Sequence, residues 1–338
     1  MTTVAVIGAG GWGTALASLL ASQGHRTCLW GRDATLVRQM AETRQNTPYL
    51  PGVLLPPELR LVSDLAEAVE GAEALVLAVP AQAMRTMVTA LNPFLSERPL
   101  LISCAKGVEQ KTHLRMTQVI EEVVGPEGHG GVVALSGPNH AEEVGRRIPS
   151  ATVVASRDPA AALQAQALFM APFFRVYTNG DVVGVEVAGA LKNVIALASG
   201  ISDGLGFGDN TKAALMTRGM AEMARLGRSL GGNPLTFAGL AGMGDLIATC
   251  TSPHSRNRRA GELLGQGHSL EEILSTTRMV VEGVFTTTAA LDLAADCGVE
   301  LPIARVVEGV LFHGRDPRLA VADLMERDPT AEEASFTG

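Results

Sequence analysis

Residues 4–21 of the chain read VAVIGAGGWGTALASLLA. The first four residues are apolar, which predicts a buried strand, and the apolar spacing of the last ten predicts a helix. Between them, Gly8, Gly10 and Gly13 have the spacing G-x-G-x-x-G. A strand, a glycine turn and a helix in this order predict a dinucleotide-binding site. Gly8 would make the tight turn, Gly10 would let the backbone approach a pyrophosphate, and Gly13 would allow close packing of helix on strand.

The rest of the first half repeats this alternation of short apolar runs and helical patterns. Runs such as ALVLAV at residues 74–79 suit a sheet that is covered on both faces. The repeated βα units predict an α/β fold with a Rossmann-type doubly wound, mostly parallel sheet. After residue 179 long 3.6-residue periodicities replace the strand patterns. We therefore expect a dinucleotide-binding domain over residues 1–180 and an all-α substrate-binding domain over residues 181–338, with a loose polar tail from about Asp328.

Composition narrows the class of protein. The 338 residues are 46% hydrophobic and 18% charged, which is typical of an enzyme with full cores, and the net charge of −8 argues against nucleic acid as a partner. No apolar run reaches the length of about 18 residues that crosses a bilayer, and a strand that starts at Val4 leaves no room for a signal peptide. The four cysteines and seven histidines are dispersed, so we expect a cytoplasmic protein without a metal site.

The end of the second predicted strand reads Gly31-Arg32-Asp33. An NAD-selective protein usually places Asp or Glu there to bind the ribose hydroxyls. Arg32 can instead stack on adenine and face a 2′-phosphate, whereas Asp33 lies one position late. The pattern favours NADP(H) and leaves NAD(H) open as a second cofactor; the alternative is that Arg32 is only a surface charge.

A basic segment, SRNRR at residues 255–259, begins a predicted helix. A helix N-terminus carries partial positive charge, so arginines in its first turn are unfavourable unless an anion binds there. Backbone N–H groups, the Ser255 hydroxyl and the guanidinium groups would together suit a phosphate. The alternative interpretation is a solvated basic turn.

A hydride-transfer enzyme that acts on an alcohol or ketone needs a proton donor and acceptor. Neither tyrosine is followed four residues later by lysine, and a His–Asp pair is not excluded. Among the four lysines, Lys192 lies in an otherwise apolar helical pattern, where burial and a second cation would lower its pKa. Lys106 follows the fifth predicted strand, at the edge where α/β sheets bind ligands. The alternatives are a lysine that extends to solvent for Lys192 and an ordinary loop lysine for Lys106.

The chain resembles bacterial NAD(P)-dependent glycerol-3-phosphate dehydrogenases in motifs that span nearly its whole length, including GAGGWGTALA, SGPNHAEEV, ALKNV and SRNRR. The resemblance implies a homodimer that reduces dihydroxyacetone phosphate to sn-glycerol 3-phosphate, the backbone of phospholipids. It implies that Lys192 is the proton donor and acceptor. The other implied substrate contacts are Lys106, Gly137, Asn139, Asp245, Ser255, Arg256 and Asn257. The implied cofactor contacts are Gly11, Trp12, Arg32, Lys106, Ala141, Arg256, Val280 and Glu282.

The chain departs from the family pattern at three positions. Gly11 stands where Ser is frequent, Asn139 where Ser or Thr is common, and His140 where Phe is usual. Two rival functions stay open at this point. A 3-hydroxyacid dehydrogenase would bind a carboxylate in the basic pocket, and a non-catalytic NADP-sensing protein would leave Lys192 and the SRNRR segment unexplained.

Overall fold

The computed structural model describes residues 1–95, 98–277 and 279–326. It divides into two units. The sheet unit comprises Met1–Ala105 and Met116–Val182, and the helical unit comprises Lys106–Arg115 and the chain from Val183 onward. The division predicted at residue 180 stays a prediction, and the ten-residue segment 106–115 belongs to the helical unit. The tail from Asp328 lies outside the described residues.

The sheet unit is built on an eight-stranded sheet in the order β10-β9-β8-β7-β6-β1-β2-β5. Neighbouring strands are parallel except for β8 and β9, which confirms the expected mostly parallel, Rossmann-type sheet. The strands of this sheet are β1 Thr3–Ile7, β2 Arg26–Trp30, β5 Arg60–Val62, β6 Ala74–Leu77, β7 Leu100–Ser103, β8 Gly131–Ser136, β9 Ser150–Ala155 and β10 Phe174–Asn179. Two further strands, β3 Gln45–Asn46 and β4 Leu50–Leu54, form a separate antiparallel hairpin that the sequence patterns did not predict.

Helices accompany the strands in the sheet unit because apolar faces recur between the strand runs. Every residue of β1 after the first is buried, as expected for a strand inside a covered sheet. The helices are α1 Gly11–Ser22, α2 Ala34–Thr43, α3 Leu65–Val69, α4 Met84–Leu91, α5 Met116–Val124, α6 Ala141–Gly145 and α7 Pro159–Phe169.

The helical unit confirms the expected change of texture after residue 179. Its helices are α8 Val182–Gly204, α9 Asp209–Ser229, α10 Pro234–Phe237, α11 Asp245–Thr251, α12 Arg256–Gly265, α13 Leu270–Thr276, α14 Glu282–Asp296, α15 Pro302–Phe312 and α16 Pro317–Met325. By length and composition α8 could cross a membrane, but 89% of its most apolar stretch is buried inside the protein. Its burial is that of a core helix.

Helices α8 and α12 cross with their backbones in close contact. A Cβ added at Gly200 would lie 1.9 Å from the carbonyl oxygen of Arg258, and one added at Gly261 would lie 2.0 Å from that of Leu197. Gly204 and Gly265 approach each other in the same way one turn further along. Only glycine permits this approach, and the crossing fixes the start of α12 against α8.

Candidate functional site

The glycine turn between β1 and α1 has the geometry that a pyrophosphate site requires. Gly8 has a φ of +119°, a conformation that favours glycine. A Cβ at Gly13 would lie 1.9 Å from the carbonyl oxygen of Gly8, so the helix packs on the turn only because this position is glycine. At Gly10 no described atom lies within 4 Å of such a Cβ, and no described side chain caps α1. The N–H groups of the first turn therefore fit a dinucleotide phosphate.

The end of β2 presents an arginine without a competing carboxylate. Arg32 is exposed, while Asp33 caps α2 by accepting hydrogen bonds from the backbone N–H groups of Thr35 at 2.9 Å and Leu36 at 3.2 Å. One oxygen of the Asp33 carboxylate thus caps the helix N-terminus. The preference for NADP(H) stays a prediction.

The β3–β4 hairpin explains one departure from the family pattern. A Cβ at Gly11 would lie 2.7 Å from the carbonyl oxygen of Tyr49, so a serine there would require the hairpin to shift. Trp12 and Ala141 pack against the buried side chains of β4. Three of the residues expected around the cofactor therefore also hold the hairpin against the glycine turn.

Two expected substrate contacts follow β8, at the carboxyl edge of the parallel strands. Gly137 has a φ of +143°, and the Asn139 Nδ2 donates hydrogen bonds to the carbonyl oxygens of Ala151 at 2.9 Å and Pro138 at 3.1 Å. The Asn139 side chain is thus held by backbone through its amino group. Its Oδ1 is buried without a hydrogen-bond partner among the described residues, and the expected contact of Asn139 with a substrate stays a prediction.

Three charged side chains meet inside the helical unit. The Lys192 Nζ donates to Asp245 Oδ1 at 2.9 Å, and the Lys106 Nζ donates to Asp245 Oδ2 at 2.7 Å. The side chains of Lys192 and Asp245 are 8% and 3% exposed, whereas that of Lys106 is 18% exposed. One carboxylate therefore accepts hydrogen bonds from two ammonium groups, so the cluster has a net positive charge when all three groups are ionised.

The environment tunes this cluster. Burial lowers the pKa of Lys192 to about 8; the carboxylate of Asp245 opposes this change and the ammonium of Lys106 reinforces it. Burial alone would raise the pKa of Asp245, but the two lysines outweigh burial and hold that pKa below its usual value. Near neutral pH the cluster therefore contains an ionised aspartate and a lysine that releases its proton readily.

A π-helical turn over Leu240–Gly244 delivers Asp245 to this cluster. From sequence alone, the glycine-rich segment GLAGMG at residues 239–244 has no preceding strand pattern and favours a close-approach loop leading to Asp245; that prediction is wrong, because the structure forms a helical turn there. A Cβ at Gly242 would lie 2.0 Å from the carbonyl oxygen of Phe237, so the glycine allows the wider turn to pack on the preceding helix. Such turns are frequent at functional sites, and here it places Asp245 at the first position of α11.

Two residues that the sequence analysis did not identify complete the network. The Thr249 Oγ1 accepts a hydrogen bond from the Lys192 Nζ at 2.7 Å and donates to Asp245 Oδ1 at 3.2 Å. The Asn193 Nδ2 donates to the carbonyl oxygen of Lys106 at 3.1 Å. Thr249 lies four residues after Asp245, on the same face of α11, and this spacing was a signal that could have identified it.

Asn257 links the lysine cluster to the start of α12. Its Nδ2 donates to the Asn193 Oδ1 at 2.9 Å, and its Oδ1 accepts from the backbone N–H of Gly283 at 2.9 Å. Asn257 therefore joins α8, α12 and α14. Its expected role as a substrate contact stays a prediction.

The basic segment divides into groups with different roles. Ser255 caps α12 by accepting from the Arg258 backbone N–H at 3.2 Å. The Arg258 guanidinium donates to Asp203 at 2.6 Å, Glu262 at 3.1 Å and the Ser252 carbonyl oxygen at 3.2 Å. Our interpretation that all the arginines of this segment face an anion is wrong for Arg258, because the carboxylates of Asp203 and Glu262 neutralise it.

Arg256, in the first turn of α12, is suited to an anion. It is exposed, and its Nη1 donates to the carbonyl oxygen of Val280 at 2.8 Å. Glu282 begins α14 two residues later. The helical unit thus brings Arg256, Val280 and Glu282 to one end of α12, next to the network that leads through Asn257 to the lysines.

Comparisons with known proteins agree with this geometry. Residues 3–162 match the family described as NAD-dependent glycerol-3-phosphate dehydrogenase N-terminus, and residues 181–322 match its C-terminus. The chain is 55% identical over 97% of its length to the glycerol-3-phosphate dehydrogenase (NAD(P)+) of Pelotomaculum thermopropionicum, of which 94% is covered. It is 54% identical over 98% of its length to that of Moorella thermoacetica, of which 98% is covered.

A solved structure gives the same result. The crystal structure of glycerol-3-phosphate dehydrogenase from Coxiella burnetii matches with a TM-score of 0.92 at 36% identity, covering 96% of this chain and 99% of that one.

Proposed function

The chain belongs to the NAD-dependent glycerol-3-phosphate dehydrogenase family, and we propose that Lys192 is the proton donor of its reaction. The reaction is the NAD(P)H-dependent reduction of dihydroxyacetone phosphate to glycerol 3-phosphate, which feeds lipid metabolism. The observation that carries the proposal is the buried Lys192 ammonium, which shares one carboxylate with Lys106.

The dinucleotide, when bound, supplies the hydride, and the protein supplies the proton. As the ketone carbon accepts the hydride, its oxygen becomes an alkoxide that Lys192 protonates. Asp245 and Thr249 hold the Lys192 Nζ by hydrogen bonds, which fixes the direction of transfer. The Lys106 ammonium adds positive potential that stabilises the developing oxyanion. In the oxidation direction the neutral Lys192 amine accepts the alcohol proton.

The pH dependence should differ between the two directions. Because the pKa of Lys192 lies at about 8, the ammonium that reduction needs is present below that pH and is lost above it. The neutral amine that oxidation needs appears over the same interval. We expect kcat for reduction to fall and kcat for oxidation to rise through about pH 8, as measured at saturating substrates between about pH 6 and 10. Identical profiles in both directions would argue against Lys192.

Arg256 and the N-terminus of α12 are proposed to bind the substrate phosphate. Its binding energy, remote from the reacting carbon, would position the ketone. Arg256→Ala should raise KM for dihydroxyacetone phosphate roughly 10- to 100-fold, since it removes a charge-assisted hydrogen bond. Turnover of dihydroxyacetone, which lacks the phosphate, should be equally slow in the variant and the wild type.

Arg305→Ala is the matched control, because Arg305 forms an exposed ion pair with Glu308. Arg305→Ala should leave KM for dihydroxyacetone phosphate and turnover of dihydroxyacetone at their wild-type values. If Arg256→Ala slowed the two substrates by the same factor, the role of Arg256 would not be phosphate binding.

A turnover assay with dihydroxyacetone phosphate and each nicotinamide cofactor tests the function as a whole. We propose that NADPH is preferred, because Arg32 is exposed and Asp33 is engaged with α2. Oxidation of NADPH in the presence of this ketone excludes a non-catalytic sensor. A 3-hydroxyacid dehydrogenase would instead turn over hydroxy acids and would not be inhibited by glycerol 3-phosphate.

We also propose a cytoplasmic homodimer. All four cysteines carry free thiols, which is typical of reducing compartments. Leu235, Met243 and Ile247, on consecutive short helical segments, are 78%, 45% and 46% exposed, and exposed apolar side chains are typical of subunit interfaces. Light scattering after size exclusion would give the subunit number directly.

A further inference from the structure

The segment Lys106–Arg115 leaves the sheet unit after β7 and returns to it at α5, yet its residues belong to the helical unit. The two ends of this segment lie close together. Val108 and Arg115 form an isolated antiparallel bridge, and the backbone N–H of Glu109 donates to the Leu114 carbonyl oxygen at 3.0 Å. Lys106 lies at one end of this segment and Arg115 at the other.

Both ends of the segment are attached to α8. At the Lys106 end, the Asn193 side chain donates to the Lys106 carbonyl oxygen at 3.1 Å. At the other end, Arg115 Nη1 forms an ion pair with Glu186 Oε2, and the two side chains are only 8% and 5% exposed. Asn193 and Glu186 lie on the same helix as Lys192.

Between these two attachments the segment packs on apolar surface. Val108 is 4% exposed and contacts Ala190 of α8 and Ala289 of α14. The outer contact, His113 to Asp292 at 3.4 Å, involves a half-exposed aspartate and is weaker for that reason. The Arg115–Glu186 ion pair, by contrast, is buried and joins this segment to α8.

We propose that the Arg115–Glu186 ion pair is a positioning device for proton transfer, which docks the segment on α8 and so holds the Lys106 ammonium on Asp245 beside Lys192. The inference rests on the proposed role of Lys192. Arg115 and Glu186 are positioning residues, because they act through Lys106. An ion pair buried to this degree is costly unless its geometry is good, so loss of one partner should release the segment.

Glu186→Gln tests the proposal, and the direction of the pH shift is diagnostic. Loss of the Glu186 charge removes one negative charge from α8, and this direct electrostatic effect would lower the pKa of Lys192. Release of Lys106 has the opposite effect, because the Lys106 ammonium lowers that pKa in the wild type. We expect the inflection in the reduction profile to move to higher pH, with kcat about tenfold lower.

Lys106→Met supplies the reference for complete loss of the ammonium. Its inflection should also move upward, and Glu186→Gln added to Lys106→Met should cause no further upward shift. Glu67→Gln is the matched control, since Arg60 and Glu67 form an exposed ion pair with side chains 58% and 50% exposed. It should leave kcat and the inflection at their wild-type values.

An inflection in folded Glu186→Gln that stays in place or moves downward would overturn the proposal, even if its Tm fell. If Glu186→Gln does not fold, Arg115→Lys is used instead, because it keeps the charge but loses the guanidinium geometry. An inflection that moves to higher pH in Arg115→Lys supports the proposal, and one that stays in place or moves downward overturns it. A wild-type profile without an inflection near pH 8 would instead refute the role of Lys192 itself. The two failures are therefore distinguishable.

Discussion

Lys192→Met is expected to lower kcat for reduction of dihydroxyacetone phosphate by about 10³-fold, within the range for loss of a general acid. That factor corresponds to about 4 kcal/mol of transition-state stabilisation. The fold should survive, because Asp245 keeps the Lys106 ammonium at 2.7 Å and is not left as an unpaired buried charge. The measurement is steady-state turnover together with a fluorescence titration of NADPH binding, which should be unchanged.

Two further substitutions separate proton transfer from charge. Lys192→Arg keeps a cation in place, but a guanidinium does not release its proton near pH 8, so it should be nearly as slow as Lys192→Met. Lys111→Met makes the same change as Lys192→Met at an exposed lysine and should retain full turnover. Turnover within tenfold of wild type in Lys192→Met, with normal NADPH binding, would show that another group donates the proton.

Gly261→Val is expected to destabilise the helical unit by about 3 kcal/mol, at the upper end for overpacking. Its Cβ would lie 2.0 Å from the Leu197 carbonyl oxygen, and because this obstacle is backbone, no side-chain rotation relieves it. The helices α8 and α12 would have to separate. We expect a Tm lower by roughly 6–12 °C for a unit of this size, measured by circular dichroism.

The same separation would displace the start of α12. Because Asn257 bonds to Asn193 across this crossing, the residual activity of Gly261→Val should show a raised KM for dihydroxyacetone phosphate. Gly208→Ser is the control: no described atom lies within 4 Å of its Cβ, and serine is favoured at this helix N-cap. If Gly261→Val had the same Tm as the wild type, the close approach of α8 and α12 at this position would be refuted.

Local patterns were sufficient to predict most of the fold. The strand, glycine turn and helix from Val4 onward are specified by adjacent residues, and the long helices carry a clear 3.6-residue period. The β3–β4 hairpin was missed because its strands are short and one contains Pro51 and Gly52, which are usually signs of loops. The π-helical turn before Asp245 was read as a loop for the same reason, since its glycines conceal a helical path.

The site was predictable where a residue type was scarce or out of place. Lys192 was conspicuous as a lysine in an apolar helix, and it is buried as expected. The role of Arg258 was misjudged because its partner Asp203 lies 55 residues away and no local pattern relates them. The attachment of Arg115 to Glu186 was invisible for the same reason, at a separation of 71 residues.

Lys106 belongs to the helical unit although the chain before it forms part of the sheet unit. This division has a consequence for changes in cofactor preference. The charged groups that set the pKa of Lys192, the proposed proton donor, lie in the helical unit, whereas Arg32, the proposed determinant of cofactor preference, lies in the sheet unit. Substitutions at Arg32 should therefore change the cofactor preference without changing the pKa of Lys192. Coenzyme engineering at that position should leave the pH optimum where it was.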